Sequence, residues 1–541
     1  MSYGLTNRKQ IVEHRRVGGV ATTISTPSTV RAVPITTRQN VVEGGVRRTL
    51  IVAGVMAAAL MQTLDQTITN VALPTIQGNL GASQDEATWV ITAYTIASIV
   101  VIPLTPWLQN RFGRRNYFVT SVVGFTIASV ACGAAPSLSS LVIARVVQGA
   151  FGGGLLATAQ SILRDTFPPQ QLGLSQGIFA LGAIMGPALG PPIGGVLVDN
   201  WSWNWCFDIN VVPGIFATVV LFLFLRDPEK GHATPVDFVG LPLLAVALGS
   251  MQYVLTEGEQ HYWLQDGLIA FMTLVCLVTS FGFVVYELRG TKYPVVDIRI
   301  LANRTVAAGL ILAFALGVAS LGSTYVLPQL TQDSLGFTPT LSGLLFLLRA
   351  IPIALCTPLI VRYSGRIDAR IMLATGFLLV TAANVMQAFI TTSESGFSTF
   401  ALPLILSGCG SAMLWIPLTI AVLGATTPQD GPKAAAFINL GVQLGGSAAV
   451  AILDVIVHQR EQFHSTILAG NLTLADPAVQ AFLRSHSLTQ LGAILYDQSS
   501  VLSYADASFA IGGVALICTP LIFLMRRGKG AQRSPEIAIE A

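Results

Sequence analysis

The chain has 541 residues, 52% of them hydrophobic and 11% charged, with a formal net charge of +3. Soluble domains carry about 25% charged residues, so this composition excludes a soluble enzyme or binding module and points to a polytopic membrane protein. The small net charge decides nothing by itself, because in such a chain the placement of the positive charges is what matters.

Residues 1 to 49 are polar and Thr-rich, with eight Lys or Arg residues and no apolar run of the kind a secretory leader needs. They are expected to be a disordered cytoplasmic tail, its charges too scattered for a polybasic lipid anchor or a nucleic-acid site. Apolar segments then recur at about 50–74, 87–108, 117–135, 139–163, 174–198, 208–225, 236–256, 267–287, 305–330, 341–361, 371–390, 399–424, 434–457 and 502–525. Each is long enough to cross a hydrocarbon core of about 30 Å at about 1.5 Å per residue. The fold class expected is an all-α membrane protein with fourteen spans. With the amino terminus inside, all but four of the 30 Lys and Arg residues fall in inner tails and loops. Arg460 and Arg484 fall outside, and Arg145 and Arg349 within spans. That asymmetry predicts that both termini are cytoplasmic. The outer connections carry acids instead, such as Asp85, Glu86, Glu257, Glu259, Asp266 and Asp333, and the long one at 459–501 is polar enough to be an exposed cap.

A repeat is visible. Pro106, Gly113 and Arg114 at the end of the second span match Pro358, Gly365 and Arg366, and Leu73–Pro74 match Leu327–Pro328, at an offset of about 250 residues, as in transporters built from duplicated bundles. The expected organisation is a six-span bundle at 50–226, two additional spans at 227–303, a second six-span bundle at 304–526 and a tail at 527–541.

The first span carries one carboxylate, Asp65. An ionised Asp deep in a membrane helix costs roughly 2.5 to 3.5 kcal/mol, so such a residue is paired, neutral or facing a wet cavity. By helix rise Asp65 lies about 22 Å from the inner start of its span, and Arg145 about 9 Å below the outer end of the fourth, so both fall in the outer third. An Arg at that height either holds Asp65 ionised or releases it to take a proton. The alternatives are a proton switch and a static ion pair joining two helices.

Residues 64–76, LDQTITNVALPTI, resemble the first-span signature of the fourteen-span drug:proton antiporters of the major facilitator superfamily, the EmrB/QacA type. Four further motifs carry the likeness. Pro106 to Arg115 is similar to the superfamily's cytoplasmic loop motif, although Pro106 and Asn110 depart from its usual Gly and Asp. The resemblance gives Arg111, Gly113 and Arg114 a role at the cytoplasmic gate, and the alternative is ordinary positive-inside charge. Arg145, Gln148 and Gly149 match an RxxQG motif. Gly182, Gly186, Pro187, Gly190, Pro191, Gly194 and Gly195 form a glycine ladder that suits close helix packing. It looks like the antiporter motif said to seal the central interface. Trp203, Trp205, Phe207, Asn210, Pro213 and Gly214 resemble a W-x-W-x-F-x-x-N sequence whose aromatics are most simply interfacial anchors.

The resemblance implies two six-helix bundles plus two additional helices in the inner membrane, exporting small amphipathic or toxic compounds in exchange for protons. The alternative is a dedicated exporter of one metabolite, such as a siderophore, organic acid or amino acid. Asp65 and Arg145 are the expected coupling pair. Asn70, Gln148, Gln160, Arg349, Asn439 and Gln443 are candidates for contact with substrate. For Arg349 the choices are helix carbonyls near Pro352 or an anionic part of the substrate, and Asp454 is expected as a solvated surface pair with His458 and Arg460. No cofactor or metal is expected, since His458 to His464 lacks HExxH spacing and there is no GxxxxGK[ST] for an ATP-driven pump. Cys132, Cys206, Cys276, Cys356, Cys409 and Cys518 have no paired spacing and are expected as thiols. The partners implied are the bilayer, protons, a small-molecule substrate, a membrane-fusion protein and an outer-membrane channel, with no nucleic acid.

Overall fold

A computed structural model describes residues 45–226, 237–258, 263–289, 294, 296–364, 366–427, 429–473 and 477–525. Residues 1–44 of the expected tail at 1–49, the whole expected tail at 527–541 and the start of the middle segment at 227–236 lie outside the described residues, as does Glu259.

The described residues form seventeen α-helices and no strand. The first bundle consists of α1 (Gly45–Leu80), α2 (Gln84–Phe112), α3 (Arg114–Gly133), α4 (Leu138–Gly152), α5 (Leu155–Thr166), α6 (Leu172–Asn200), a single turn α7 (Trp205–Asp208) and α8 (Val211–Phe224). Then come α9 (Gly240–Glu257) and α10 (Gly267–Arg289). The second bundle contains α11 (Arg304–Gln329), α12 (Pro339–Tyr363), α13 (Ala369–Ile390), α14 (Ala401–Gly424), α15 (Gly431–Asn471), α16 (Pro477–Ser485) and α17 (Leu488–Cys518). We call the end where α1 begins the base and the opposite end the top. Thirteen helical stretches among the described residues are long and apolar enough to cross a membrane. The fourteenth expected span is α9, a helix of 18 residues.

Helix ends follow local chemistry. Ser83 caps α2 and forms a reciprocal capping box with Glu86, and Ser137 and Ser487 cap α4 and α17. Gly113 alone separates α2 from α3 and holds φ +85°, a backbone state that glycine adopts without steric cost. The prolines inside α2, α6 and α12 do not end these helices, since in a bundle neighbouring groups replace the lost backbone bond.

Gly45, the first described residue at this end, already lies in α1. The fourth expected span holds as one stretch, Leu138–Thr166, with a turn between α4 and α5 where α2 passes close: a Cβ on Gly153 would stand 2.4 Å from the Ser98 carbonyl oxygen. The 459–501 connection is mostly helix, with α15 running on for 41 residues, about 60 Å and twice a hydrocarbon core.

The duplication shows in the packing. α1 lies on α6 and α8 as α11 lies on α15 and α17, and α4 receives α2 and α3 as α14 receives α12 and α13. The halves meet along two seams, α6 on α12 and α2 on α15. The additional helices α9 and α10 pack on each other, and α9 lies against both α2 and α15.

Candidate functional site

Asp65 is 0% exposed and Arg145 1%. They meet as expected, with Arg145 Nη1 donating to Asp65 Oδ2 at 2.6 Å. The other carboxylate oxygen accepts from Gln148 Nε2 at 2.8 Å and Asn210 Nδ2 at 2.9 Å. The Ser129 hydroxyl accepts from the same two amides and donates to the Phe207 carbonyl oxygen. Arg145 also donates to the Val90 carbonyl oxygen and to Gln148 Oε1, and its guanidinium stands 4.2 Å from the Tyr94 ring centroid. The cost of taking a carboxylate out of water is thus offset by two amide donors and one cation, which is itself held on a π-face. Five helical elements contribute, and the acid is turned to neither lipid nor open water.

Two members of this cluster differ from expectation. Gln148 is fully buried and bonds Asp65, so it is no cavity residue. Asn210 holds the acid, while Trp203 and Phe207 are packed in the core and only Trp205, 52% exposed, suits an interfacial anchor. Asn210, Ser129 and Tyr94 were missed as site residues. A signal existed for Asn210 in the spacing that repeats Trp and Phe ahead of it, but nothing in spacing tells that its amide turns inward.

The glycine ladder packs inside its own bundle. A Cβ on Gly182 would meet Met56, on Gly186 Thr63, on Gly190 Thr67 and on Gly194 Ile68, all on α1. Gly195 and Pro191 are buried, and Pro187 lines the central cavity. The interface with the second bundle uses other positions of α6: Gly173 beside Ser364, Gly177 beside Val361, and Pro192 beside Gly343. The expected seal of the central interface is therefore indirect, through the placement of α1.

At the base, Arg114 pairs with Asp165 within the first bundle and Arg111 is exposed, so neither bridges the halves as the loop motif implied. Arg164 does. Its Nη2 donates to the carbonyl oxygens of Leu423 at 2.9 Å and Thr426 at 3.3 Å, at the C-terminal end of α14, where a helix dipole favours a cation. A Cβ on Gly431, at the start of α15, would meet the Arg164 guanidinium. A turn above, Asn439 donates to Gln160, which donates to Gln176. Removing Arg164 deletes charge-assisted bonds worth about 1.5 to 3 kcal/mol. Arg164→Ala is expected to shift the population toward a base-open state by about tenfold or more, seen as longer distances between spin labels at the base of α5 and α14, with Arg164→Lys in between.

Above this closure lies a cavity of about 110 Å³ between the halves, room for several waters. Gln62, Gln66, Asn439, Gln443 and Arg349 supply its polar wall, and Phe346, Trp415, Leu316 and Ile353 are part of its apolar wall. Asn439, Gln443 and Arg349 therefore stand where expected, whereas Gln160 is buried beneath the cavity. Asn70, one turn above Gln66, is exposed and outside the lining. The acid and the cavity are adjacent through Tyr94, whose ring lies on Arg145 and whose buried hydroxyl is beside Gln66 and Ser98 of the cavity wall.

Arg349 reaches Ser320 on α11 and Ser411 on α14 rather than carbonyls near Pro352. Asp454 accepts from the Tyr325 hydroxyl, and Arg460 and His464 pair with Asp506, which replaces the expected surface pair. All six cysteines are free thiols, and no group of metal-ligating residues occurs among the described residues.

The family model of the Major Facilitator Superfamily matches residues 55–323 and 309–469. The multidrug export protein EmrB of Escherichia coli strain K12 is 30% identical over 497 residues, 90% of this chain and 97% of that protein. The fatty acid resistance protein FarB of Neisseria gonorrhoeae is 35% identical over 419 residues, covering 77% of this chain and 82% of that protein. Among solved structures, the human organic anion transporter MFSD10 matches with a TM-score of 0.59 at 15% identity, covering 88% of this chain and 99% of that one, a likeness of fold alone. Duplicated six-helix bundles, a cavity at their junction and these matches across most of the chain agree: the protein belongs to the Major Facilitator Superfamily, among its EmrB-type members.

Proposed function

We propose that the protein is a proton-coupled antiporter of the inner membrane that exports small amphipathic or toxic compounds by alternating access. The observation that carries this reading is the Asp65–Arg145 pair, sealed at 0% and 1% exposure while the neighbouring Gln66 lines the cavity. The concentration of Lys and Arg in the inner tails and loops supports cytoplasmic termini, and in this reading the base is the cytoplasmic end and Arg164 belongs to the closed cytoplasmic gate. A proton arriving from the top protonates Asp65. The carboxylic acid no longer neutralises Arg145, whose charge is then left to the Val90 carbonyl, Gln148 and the Tyr94 face. An uncompensated buried charge is costly, and that cost favours the rearrangement that returns the empty carrier to the inside. Cargo binding favours deprotonation and the outward swing. The proton gradient is the energy source and no cofactor takes part. The helical cap of α15, α16 and α17 is the surface offered at the top to a membrane-fusion protein and, through it, an outer-membrane channel.

Comparing growth inhibition by a chemically varied compound panel with and without expression, alongside uptake into vesicles under an imposed pH gradient, tests this. Protection against several unrelated amphipathic compounds, abolished by collapsing the gradient, is the expected result. Protection against a single metabolite, or transport indifferent to the gradient, overturns it.

A further inference from the structure

The central cavity has one charge in its wall. Arg349 is 9% exposed, and its lining neighbours include no Asp, Glu, Lys or His. Its guanidinium is poorly satisfied: Nη1 donates to the Ser320 carbonyl oxygen at 3.4 Å, and Nη2 donates to the hydroxyls of Ser320 at 3.5 Å and Ser411 at 3.2 Å. These are neutral contacts, two of them beyond and the third at the upper end of the usual N–H···O range, and all longer than a charge-assisted bond. Among the described residues no carboxylate forms an ion pair with it. The match of Leu73 with Leu327 places Ala319 where the first bundle has Asp65, so the first helix of the second bundle brings no equivalent acid to the cavity.

A buried cation whose neighbours are hydroxyls has its charge unpaired until something enters the cavity. We propose that the cavity is an anion-selective cargo site, in which Arg349 receives the carboxylate, sulfonate or phenolate head of an amphipathic anion. The apolar body of that anion lies on Phe346, Trp415 and Leu316, and Gln62, Gln66 and Gln443 meet its remaining polar groups. A cationic cargo finds no carboxylate here and is repelled by Arg349. This inference rests on the exporter reading above and narrows its substrate class.

The full chain reconstituted in acid-interior vesicles can be given three fluorescent probes: 8-anilinonaphthalene-1-sulfonate, its uncharged analogue N-phenyl-1-naphthylamine, and the cation ethidium. The wild type is expected to take up the sulfonate. Arg349→Gln lowers that uptake by about tenfold or more while N-phenyl-1-naphthylamine stays within about threefold, as loss of a charge-assisted bond requires, and Arg349→Lys restores part of it. The retained uptake of the neutral analogue shows that the variant is folded. Equal loss of both probes in Arg349→Gln, or a wild type that takes up ethidium or the neutral probe but not the sulfonate, overturns the anion site and leaves the exporter reading standing. If the wild type moves none of the three, the exporter reading falls and this inference with it.

Discussion

Replacing Asp65 by Asn is expected to end proton-driven export. Asn keeps the shape of the side chain and its contacts with Gln148 and Asn210, but it cannot take up and release a proton. It also strands Arg145, and removing one partner of a buried ion pair costs about 3 to 5 kcal/mol. Loss of export could therefore reflect damage to the fold, so the double variant Asp65→Asn, Arg145→Gln is the informative one. With both charges gone, most of the lost thermal stability should return, since neutral replacement of a buried pair is often close to neutral in stability. Coupled export should not return. Thermal unfolding in detergent and gradient-driven uptake in vesicles measure the two separately. A double variant that exports like the wild type would reduce the pair to a weld between α1 and α4.

Gly186→Leu should be the most damaging single change in the glycine ladder. Even a Cβ at this position would stand 1.9 Å from Thr63 Oγ1, 2.5 Å from Thr63 Cβ and 2.8 Å from the Leu64 backbone nitrogen. A helix backbone cannot yield as a flexible side chain does, so α1 must move away from α6. Overpacking of this kind costs typically 1 to 3 kcal/mol, and here it also shifts the helix that carries Asp65. Export is therefore expected to fall further than folded yield, and Gly186→Ala to show the same pattern more weakly. Gly78→Ala is the control: nothing lies within 4 Å of its Cβ position, and replacing a helical glycine there should stabilise by up to about 1 kcal/mol. Melting temperature and the monodisperse fraction report folding, with vesicle uptake as the second readout.

The bundle architecture and the contact of Asp65 with Arg145 were legible in the sequence because both rest on quantities a chain displays directly, apolar length and the depth of a charge. Asp65 and Arg145 could be matched because each is rare in its span and helix rise sets its height. Gln148 sits three residues from Arg145 and so on the same helix face, but that spacing does not separate a partner of the acid from a contact with substrate. Asn210 was hidden because it enters from the short turn ahead of α8, where rise along a helix says nothing about direction. Arg164 was hidden for another reason: a cation at a span's inner end already has an explanation in topology, and only the approach of α14 and α15 gives it partners. The glycine ladder was seen, but which neighbour it receives depends on helix order within the bundle, and that is a tertiary property.

The position of α9 makes the carrier lopsided. It lies across the join between α2 and α15, while among the described residues the join between α6 and α12 has no added helix over it. The scaffold is nearly two-fold, yet its perimeter is not, since a solute in the lipid leaflet meets an additional helix over one join and only α6 and α12 themselves at the other.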